Sequence, residues 1–469
     1  MNAPPVPAAQ RLPLPAMAPP ASLEATGVSK ALLLELVLKH LQRGGDASMA
    51  ELGAGVALPL PVLDRLLGFL REEQYIEVPR RGSFDAEVRY ALTGPGRARA
   101  EEAMRRNQYA GPAPVSLPDY VAQVERQRVT GARIGPERLD EVLRPLVLPS
   151  GLVTTLGAAI NSLRPLFLYG ASGTGKTWLA EHLVQAIEGA IWVPHAIEVD
   201  GEIIQVFDDV VHRRIDVAER TGSLDRAPQP DARWVLCHRP VVKLGGELTL
   251  AMMDLERDAV TRFYKAPAQL RANNGALVFD DLGRQRSPAH QILNRWIVPL
   301  DRHVDHFSLH TGTSFQVPFD VLLVFSSNLS PASLDDPAFV RRLGYKVRLD
   351  ALDEASYRQV FRRACQRAGV EFDEVAEDFL VRELHARSGM PLFPAYPLDL
   401  VLMVRDRAVY ENRVAKLTPE ALRWAWALYF AAESGEDGYL PTIAHTADVA
   451  GVIGQCASGT DTDQGRGAR

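Results

Sequence analysis

Cysteine is almost missing from this chain. Cys237, Cys365 and Cys456 are the only three in 469 residues, and they lie far apart without ligand spacing. That excludes a disulfide framework and a cysteine zinc site. Long apolar runs are missing too. None reaches the roughly 18–20 residues that a membrane span requires, so no membrane partner is expected. An excess of one charge is lacking: the net charge is -6, which sets aside indiscriminate binding to nucleic acid or anionic surfaces. His212, His238 and His310 do not fall in a helical i, i+4 ligand pattern, so surface or core roles are expected for them. The first twenty residues carry prolines every few positions and no apolar signal-peptide core. Residues 1–21 therefore read as a disordered Pro/Ala-rich tail, and the setting as cytoplasmic and reducing.

What is present is an ordinary globular composition, 46% hydrophobic and 23% charged, over a length that suits about three domains. The most informative stretch is Gly170-Ala171-Ser172-Gly173-Thr174-Gly175-Lys176-Thr177, which fits G-x-x-x-x-G-K-[ST] at every position. An apolar run, Leu166 to Tyr169, precedes it, and a helical pattern opens at Trp178. Strand, glycine turn and helix is the context in which backbone N–H groups curl around phosphates and the helix dipole adds positive potential. Lys176 would reach the β- and γ-phosphates of ATP, and the Thr177 hydroxyl would ligate Mg²⁺.

Residues 22–110 read as a separate domain. Three apolar-faced helices (Ser29–Leu41, one capped by Ser48, and Leu60–Gln74) precede two short β-like runs around Arg80-Arg81-Gly82-Ser83. Three helices and a hairpin look like a winged-helix domain. The segment holds 12 Lys or Arg against 12 Asp or Glu, and the third helix ends in Glu72-Glu73. Phosphate contact needs a basic face, so protein docking is favoured over DNA. Residues 111–142 read as a linker.

Further along, Gly275-Ala276-Leu277-Val278-Phe279-Asp280-Asp281 is an apolar strand ending in two acids, the Walker B arrangement. Asp280 would hold Mg²⁺ through water, and Asp281 would position or deprotonate the attacking water. A buried-type strand, Val321 to Phe325, then ends in Ser326-Ser327-Asn328, and Asp336 to Leu343 precedes a last strand, Tyr345 to Leu349. This order resembles the AAA+ ATPases from about Leu143 to Phe430. The resemblance implies Asn328 as sensor 1 and Arg342 or Arg341 as an arginine finger acting on a neighbouring subunit. It also implies a self-assembled ring, in this family most often a hexamer. Leu270 to Asp281 resembles the same region of MoxR-type ATPases and enhancer-binding activators. Alternating runs meeting at Thr311-Gly312 predict a β-hairpin, as in the clade of MoxR-type, chelatase and RuvB-type motors, where it projects toward the pore or substrate.

The sequence departs from the pattern in three ways. Asp281 stands where Glu is usual, Leu398 stands near the usual sensor 2 arginine with Arg405 and Arg407 as stand-ins, and Lys176 and Asp280 are widely separated. The extra chain holds a hairpin signal around Asp200-Gly201 and a polar loop from Thr221 to Asp231, read as an insertion for partner contact or as a decorated sheet edge. Four amphipathic helices follow between Asp353 and Phe430.

The expected fold is therefore α/β. A P-loop AAA+ core with a parallel sheet spans residues 143–350 and a helical lid spans 351–432, with a winged-helix domain before them and a disordered tail, 433–469, after. The expected function is ATP hydrolysis, with Mg²⁺, to remodel a protein client in the manner of MoxR-like chaperones. The alternatives are a DNA-directed regulator or motor and a slow nucleotide-dependent scaffold.

Overall fold

The computed structural model describes residues 17–80, 88–129, 134–216, 230–334 and 336–431. The expectations for most of the N-terminal tail, for the whole of 433–469, for Arg81-Gly82-Ser83 and for most of the loop Thr221 to Asp231 lie outside the described residues. The chain divides after Asp350 into two compact units.

The first unit opens with α1 (Lys30–Gly44), capped by Ser29, whose hydroxyl accepts from Leu32 N–H. After β1 (Ala47–Ser48), α2 (Met49–Val56) starts with a capping box between Ser48 and Glu51. Next come α3 (Leu60–Glu72), β2 (Ile76–Arg80), β3 (Arg89–Leu92) and α4 (Gly94–Arg106). The strands form an antiparallel sheet in the order β1-β3-β2. Leu33, Leu36, Val37, Leu63, Leu66 and Leu70 recur at helical spacing and meet in one core.

The expected linker is structured. Residues 111–142 contain β4 (Val115–Ser116), α5 (Leu117–Arg126) and α6 (Pro136–Leu143). Ser116 caps α5 by accepting from Asp119 N–H, Pro118 sits in its first turn, and Tyr120, Gln123 and Val124 are buried. Part of the expected tail is also packed: Met17 lies against the core of a β-rich layer, and its carbonyl accepts from Asp231 N–H at 2.8 Å.

From α7 (Ser150–Ser162) the chain runs through β5 (Leu166–Tyr169), α8 (Lys176–Val184), β6 (Ala190–Pro194), β7 (Ala196–Val199), β8 (Glu202–Gln205) and β9 (Trp234–His238). It continues with β10 (Val241–Leu244), β11 (Glu256–Arg257), β12 (Tyr264–Lys265), α9 (Ala268–Arg271) and β13 (Gly275–Phe279). The unit closes with α10 (Ala289–Arg295), α11 (Ile297–Arg302), β14 (Val304–Ser308), β15 (Ser314–Pro318), β16 (Val321–Ser327), α12 (Pro337–Arg342) and β17 (Tyr345–Arg348). Five of these strands form a wholly parallel sheet in the order β10-β13-β16-β5-β17. Every residue of β13 and β16 is buried, as expected of strands covered on both faces. The fold is α/β, with a phosphate loop between β5 and α8.

The long segment between the two motifs has a definite place. Strands β7 and β8 form the hairpin expected around Asp200-Gly201, inside a second sheet ordered β11-β12-β8-β7-β4. Its Ala196 and Ile203 join the N-terminal core, and Phe263 meets Tyr109 edge-on at 5.5 Å. Arg257 and Arg262 donate to the Arg106 and Arg105 carbonyls at the end of α4. A buried Arg233–Asp231 pair, 2.8 Å apart, donates from Arg233 Nη1 to the Thr26 carbonyl at 2.9 Å.

The β14–β15 hairpin forms as expected, with Phe307 opposite Phe315 and Gly312 at φ 92° in the turn. It does not stand free. Phe307, Leu309, Phe315 and Val317 are buried in the core of the second sheet. Its tip is tied by Thr313 Oγ1 donating to Asp200 at 2.6 Å and by Tyr264, whose hydroxyl accepts from His310 N–H at 2.8 Å and lies 2.6 Å from His310 Nδ1.

The second unit contains α13 (Glu354–Ala368), then α14 (Glu374–Phe379), which runs through a π-helical turn, Leu380–His385, into α15 (Ala386–Ser388). It ends with α16 (Ala395–Tyr410) and α17 (Pro419–Tyr429) around a core of Tyr357, Phe361, Leu400 and Leu422. No single described helix is long and apolar enough to cross a membrane.

Candidate functional site

Three parallel strands end side by side. Tyr169 pairs with Ser327, and Phe279 pairs with Phe325. The polar residues that follow each strand therefore converge at the carboxyl edge of the sheet. After β5 the chain leaves for the sheet's far edge, so this edge is also where the strand order reverses, the usual crevice for a ligand in open α/β sheets.

The loop after β5 requires its glycines. Gly170 has φ 149°, and a Cβ there would come within 2.2 Å of the Leu349 carbonyl oxygen. Gly175, at φ 86°, precedes α8 directly. Thr174 is buried and donates to the Ala171 carbonyl at 2.9 Å, which holds the curl. Lys176 is buried in the loop, and Nζ donates to the Gly170 and Ala171 carbonyls at 3.1 and 2.8 Å. Burial lowers its pKa; Asp281 and then Asp280 oppose that, and Arg284 adds to it. Lys176 thus sits in a narrow setting where the charges of Asp281 and Asp280 favour its protonated form. Ala171 and Ser172 are exposed on the loop surface, Gly173 has φ 86°, and Trp178 lies half exposed on the first turn of α8 with its ring 6.0 Å from His182.

Asp280 is the hub. Thr177 Oγ1 lies 2.9 and 3.1 Å from its two carboxylate oxygens, and Ser326 Oγ donates to Oδ1. Asp281 takes a left-handed backbone, φ 50°, with its N–H donating to Asp280 Oδ1 at 3.1 Å. Its carboxylate is 4.0 Å from Arg284. Asn328 lies one residue beyond β16 and is exposed. From β16 it is Ser326, not Asn328, that contacts Asp280. Alternation along a strand puts Ser326 and Asn328 on one side, and only the pairing of Phe325 with Phe279 sets Ser326 level with the acids.

Arg341 and Arg342 are not brought to this edge. They lie at the opposite, amino edge of the sheet, lining a cavity of about 530 Å³ with Arg164, Pro165, Asp301 and Val321. Arg342 is held by Asp301, while Arg341 is exposed. In the second unit Arg405 pairs with Asp406, and Arg407 pairs with Glu411. Among the described residues no group of three His, Cys, Asp or Glu could hold a metal ion.

Fold and loop together define an α/β protein of the phosphate-loop class. A family model described as a domain of unknown function, DUF8689, matches residues 353–428. No curated protein matches the chain. Solved structures it resembles include the Thermotoga maritima RuvB Holliday junction branch migration motor, at 14% identity and TM-score 0.34, with 64% of this chain and 73% of that one covered. Another is NtrX from Brucella abortus, at 13% identity and TM-score 0.36, with coverage of 63% and 64%.

Proposed function

We propose that this chain is an ATP-hydrolysing AAA+ protein that works as a homo-oligomeric ring, a hexamer, on a protein client, in the manner of MoxR-type remodelling chaperones. One observation carries the reading: Lys176, Thr177, Asp280, Asp281 and Ser326 gather at the carboxyl edge of a parallel sheet, around a glycine loop at a helix N-terminus. The loop N–H groups would cradle the phosphates, and Lys176 would exchange two backbone carbonyls for phosphate oxygens. Thr177 Oγ1 and the Asp280 carboxylate are hard oxygen donors in mutual reach, a set that fits Mg²⁺ shared with phosphates and water. That ion would supply charge neutralisation at the phosphates. Asp281, beside Asp280, orients and deprotonates the attacking water, and ATP and water give ADP and phosphate. Catalysis is then positioning and charge compensation, with little covalent work for the protein.

The arginines at the amino edge support assembly, because a finger remote from its own phosphate loop has a target only in a second copy. The three helices and antiparallel sheet of residues 22–110 support a winged-helix domain, read here as a protein-docking module, and the second unit supports a helical lid. Two buried free thiols, Cys237 and Cys365, support a reducing, cytoplasmic setting.

Lys176→Ala tests the centre of this reading. It should abolish ATP binding and turnover while leaving the melting curve in place, since the Lys176 ammonium holds only loop carbonyls. Unchanged nucleotide affinity, measured by calorimetry, would remove the central claim.

A further inference from the structure

The loop that follows the two acids is pinned by a single amide. Gln285 Nε2 donates to the carbonyls of Asp280 and Asp281, at 3.0 and 3.1 Å. Its Oε1 accepts from Gly283 N–H at 2.7 Å. Two carbonyls on one side and an N–H on the other also fix the amide's orientation. All three bonds are to backbone, and they close a ring around Asp281. Within that ring Asp281 holds φ 50° and Gly283 φ 105°. Asp enters the left-handed region more readily than most residues but still at a cost, and these contacts hold it there. From behind, Leu282 N–H donates to Ser326 O at 2.8 Å, and Ser327 Oγ donates to Leu282 O at 2.6 Å. The tip is filled too: a Cβ on Gly283 would meet Leu329 at 2.6 Å.

We propose that Gln285 is a positioning residue for the hydrolytic step, setting the backbone at Asp281 and with it the aim of its carboxylate. This rests on the ATPase reading. Asp281 has one methylene fewer than Glu, so its carboxylate cannot reach the same point from an ordinary strand-end backbone. The left-handed turn at Asp281 and the amide that locks it supply the aim that a longer side chain would otherwise provide. Arg284, 4.0 Å from the Asp281 carboxylate, is a second cation that competes for it once the lock is gone.

The test compares wild type with Gln285→Ala and Gln285→Glu in steady-state ATPase assays and ATP titrations. Gln285→Glu keeps the acceptor for Gly283 N–H but loses both donors. Misplacement by about 1 Å costs about 100-fold in rate, so kcat should fall about 30- to 100-fold in both variants. KM for ATP should stay within about threefold, because no phosphate contact changes. Rescue of Gln285→Ala by Arg284→Ala, even partial, would support competition of Arg284 for the freed carboxylate. Unchanged kcat in the well-folded Glu variant would overturn the proposal, as would a KM that rises as much as kcat falls. Failure of the ATPase reading shows up separately, as ATP binding without turnover in the wild-type chain, and overturns both.

Discussion

Arg341 and Arg342 are neighbours in sequence in opposite circumstances. Arg342 spends Nε and Nη2 on the Asp301 carboxylate at 2.6 and 2.5 Å, and Nη1 on the Ala338 carbonyl at 2.8 Å. Arg341 is exposed and has no hydrogen bond or ion pair among the described residues. The sequence pattern favoured Arg342 as the finger; the geometry makes Arg341 the better candidate and Arg342 a strut for α12. Arg341→Ala should bind ATP normally and hydrolyse it roughly 1,000-fold more slowly, the usual worth of a finger. Mixing it with Lys176→Ala subunits should restore part of the rate, since each copy then supplies what the other lacks. Arg341→Ala at full rate beside a folded but inactive Arg342→Ala would return the role to Arg342. At this scale the glycines, Lys176, Thr177 and the two acids were legible, because a phosphate loop tolerates few residue types at its positions. Ser326 and Gln285 were not, because any polar residue at a strand end or in a loop looks alike until register brings it opposite a partner.

At the scale of elements, regular patterns read well and the insertion did not. Alternation around Asp200-Gly201 and Thr311-Gly312 gave both hairpins, and 3.6-residue periodicity gave the helices of the second unit. Neither pattern says what an element packs on. That β14–β15 lies flat against the second sheet, with its tip tied to Asp200 and Tyr264, follows from contacts more than a hundred residues apart in the Asp200 case. The supposed linker failed for a related reason: Val115 and Ser116 are too short a run to announce a strand, yet they complete a sheet edge beside β7. The Arg233–Asp231 pair fastens this layer to the N-terminal segment, with side chains only 5% and 2% exposed. Arg233→Met should leave the Asp231 carboxylate buried without its ion-pair partner, a defect that costs about 3–5 kcal/mol. Chemical denaturation would read the loss. Asp231→Asn combined with Arg233→Met should recover part of it, and a single-variant loss under about 1 kcal/mol would mean that water reaches the pair.

Across the whole molecule, the N-terminal segment is built into the first unit. Gln108 N–H donates to Thr261 O at 2.8 Å, Ala113 N–H donates to Val56 O at 2.7 Å, and Ile203 sits in the N-terminal core. A test of DNA binding on the excised segment would expose that seam, so the full chain is the proper sample. The sequence already carried the charge argument, and the structure sharpens it. The outward side of α3 carries Asp64, Arg65, Arg71 and Glu72, with Glu73 as its C-cap, so the helix that would enter a major groove has no positive excess on its free face. Arg99 and Arg106 of α4 are drawn to Glu35 and Glu102, and Arg89 to Asp46 and Glu51, so these arginines already have carboxylate partners. Duplex DNA affinity comes mainly from phosphates neutralised, each contributing roughly one unit to the log–log salt slope. A face with few spare cations should give a slope near one and a Kd no tighter than about 10⁻⁵ M at physiological salt, the non-specific range. Fluorescence anisotropy with a labelled 30-base-pair duplex, from 50 to 200 mM salt, measures both quantities. Sub-micromolar binding with a slope of several, lost in Arg80→Ala/Arg81→Ala, would turn the domain from a protein-docking module into a DNA reader, and the client of the proposed motor would then be nucleic acid.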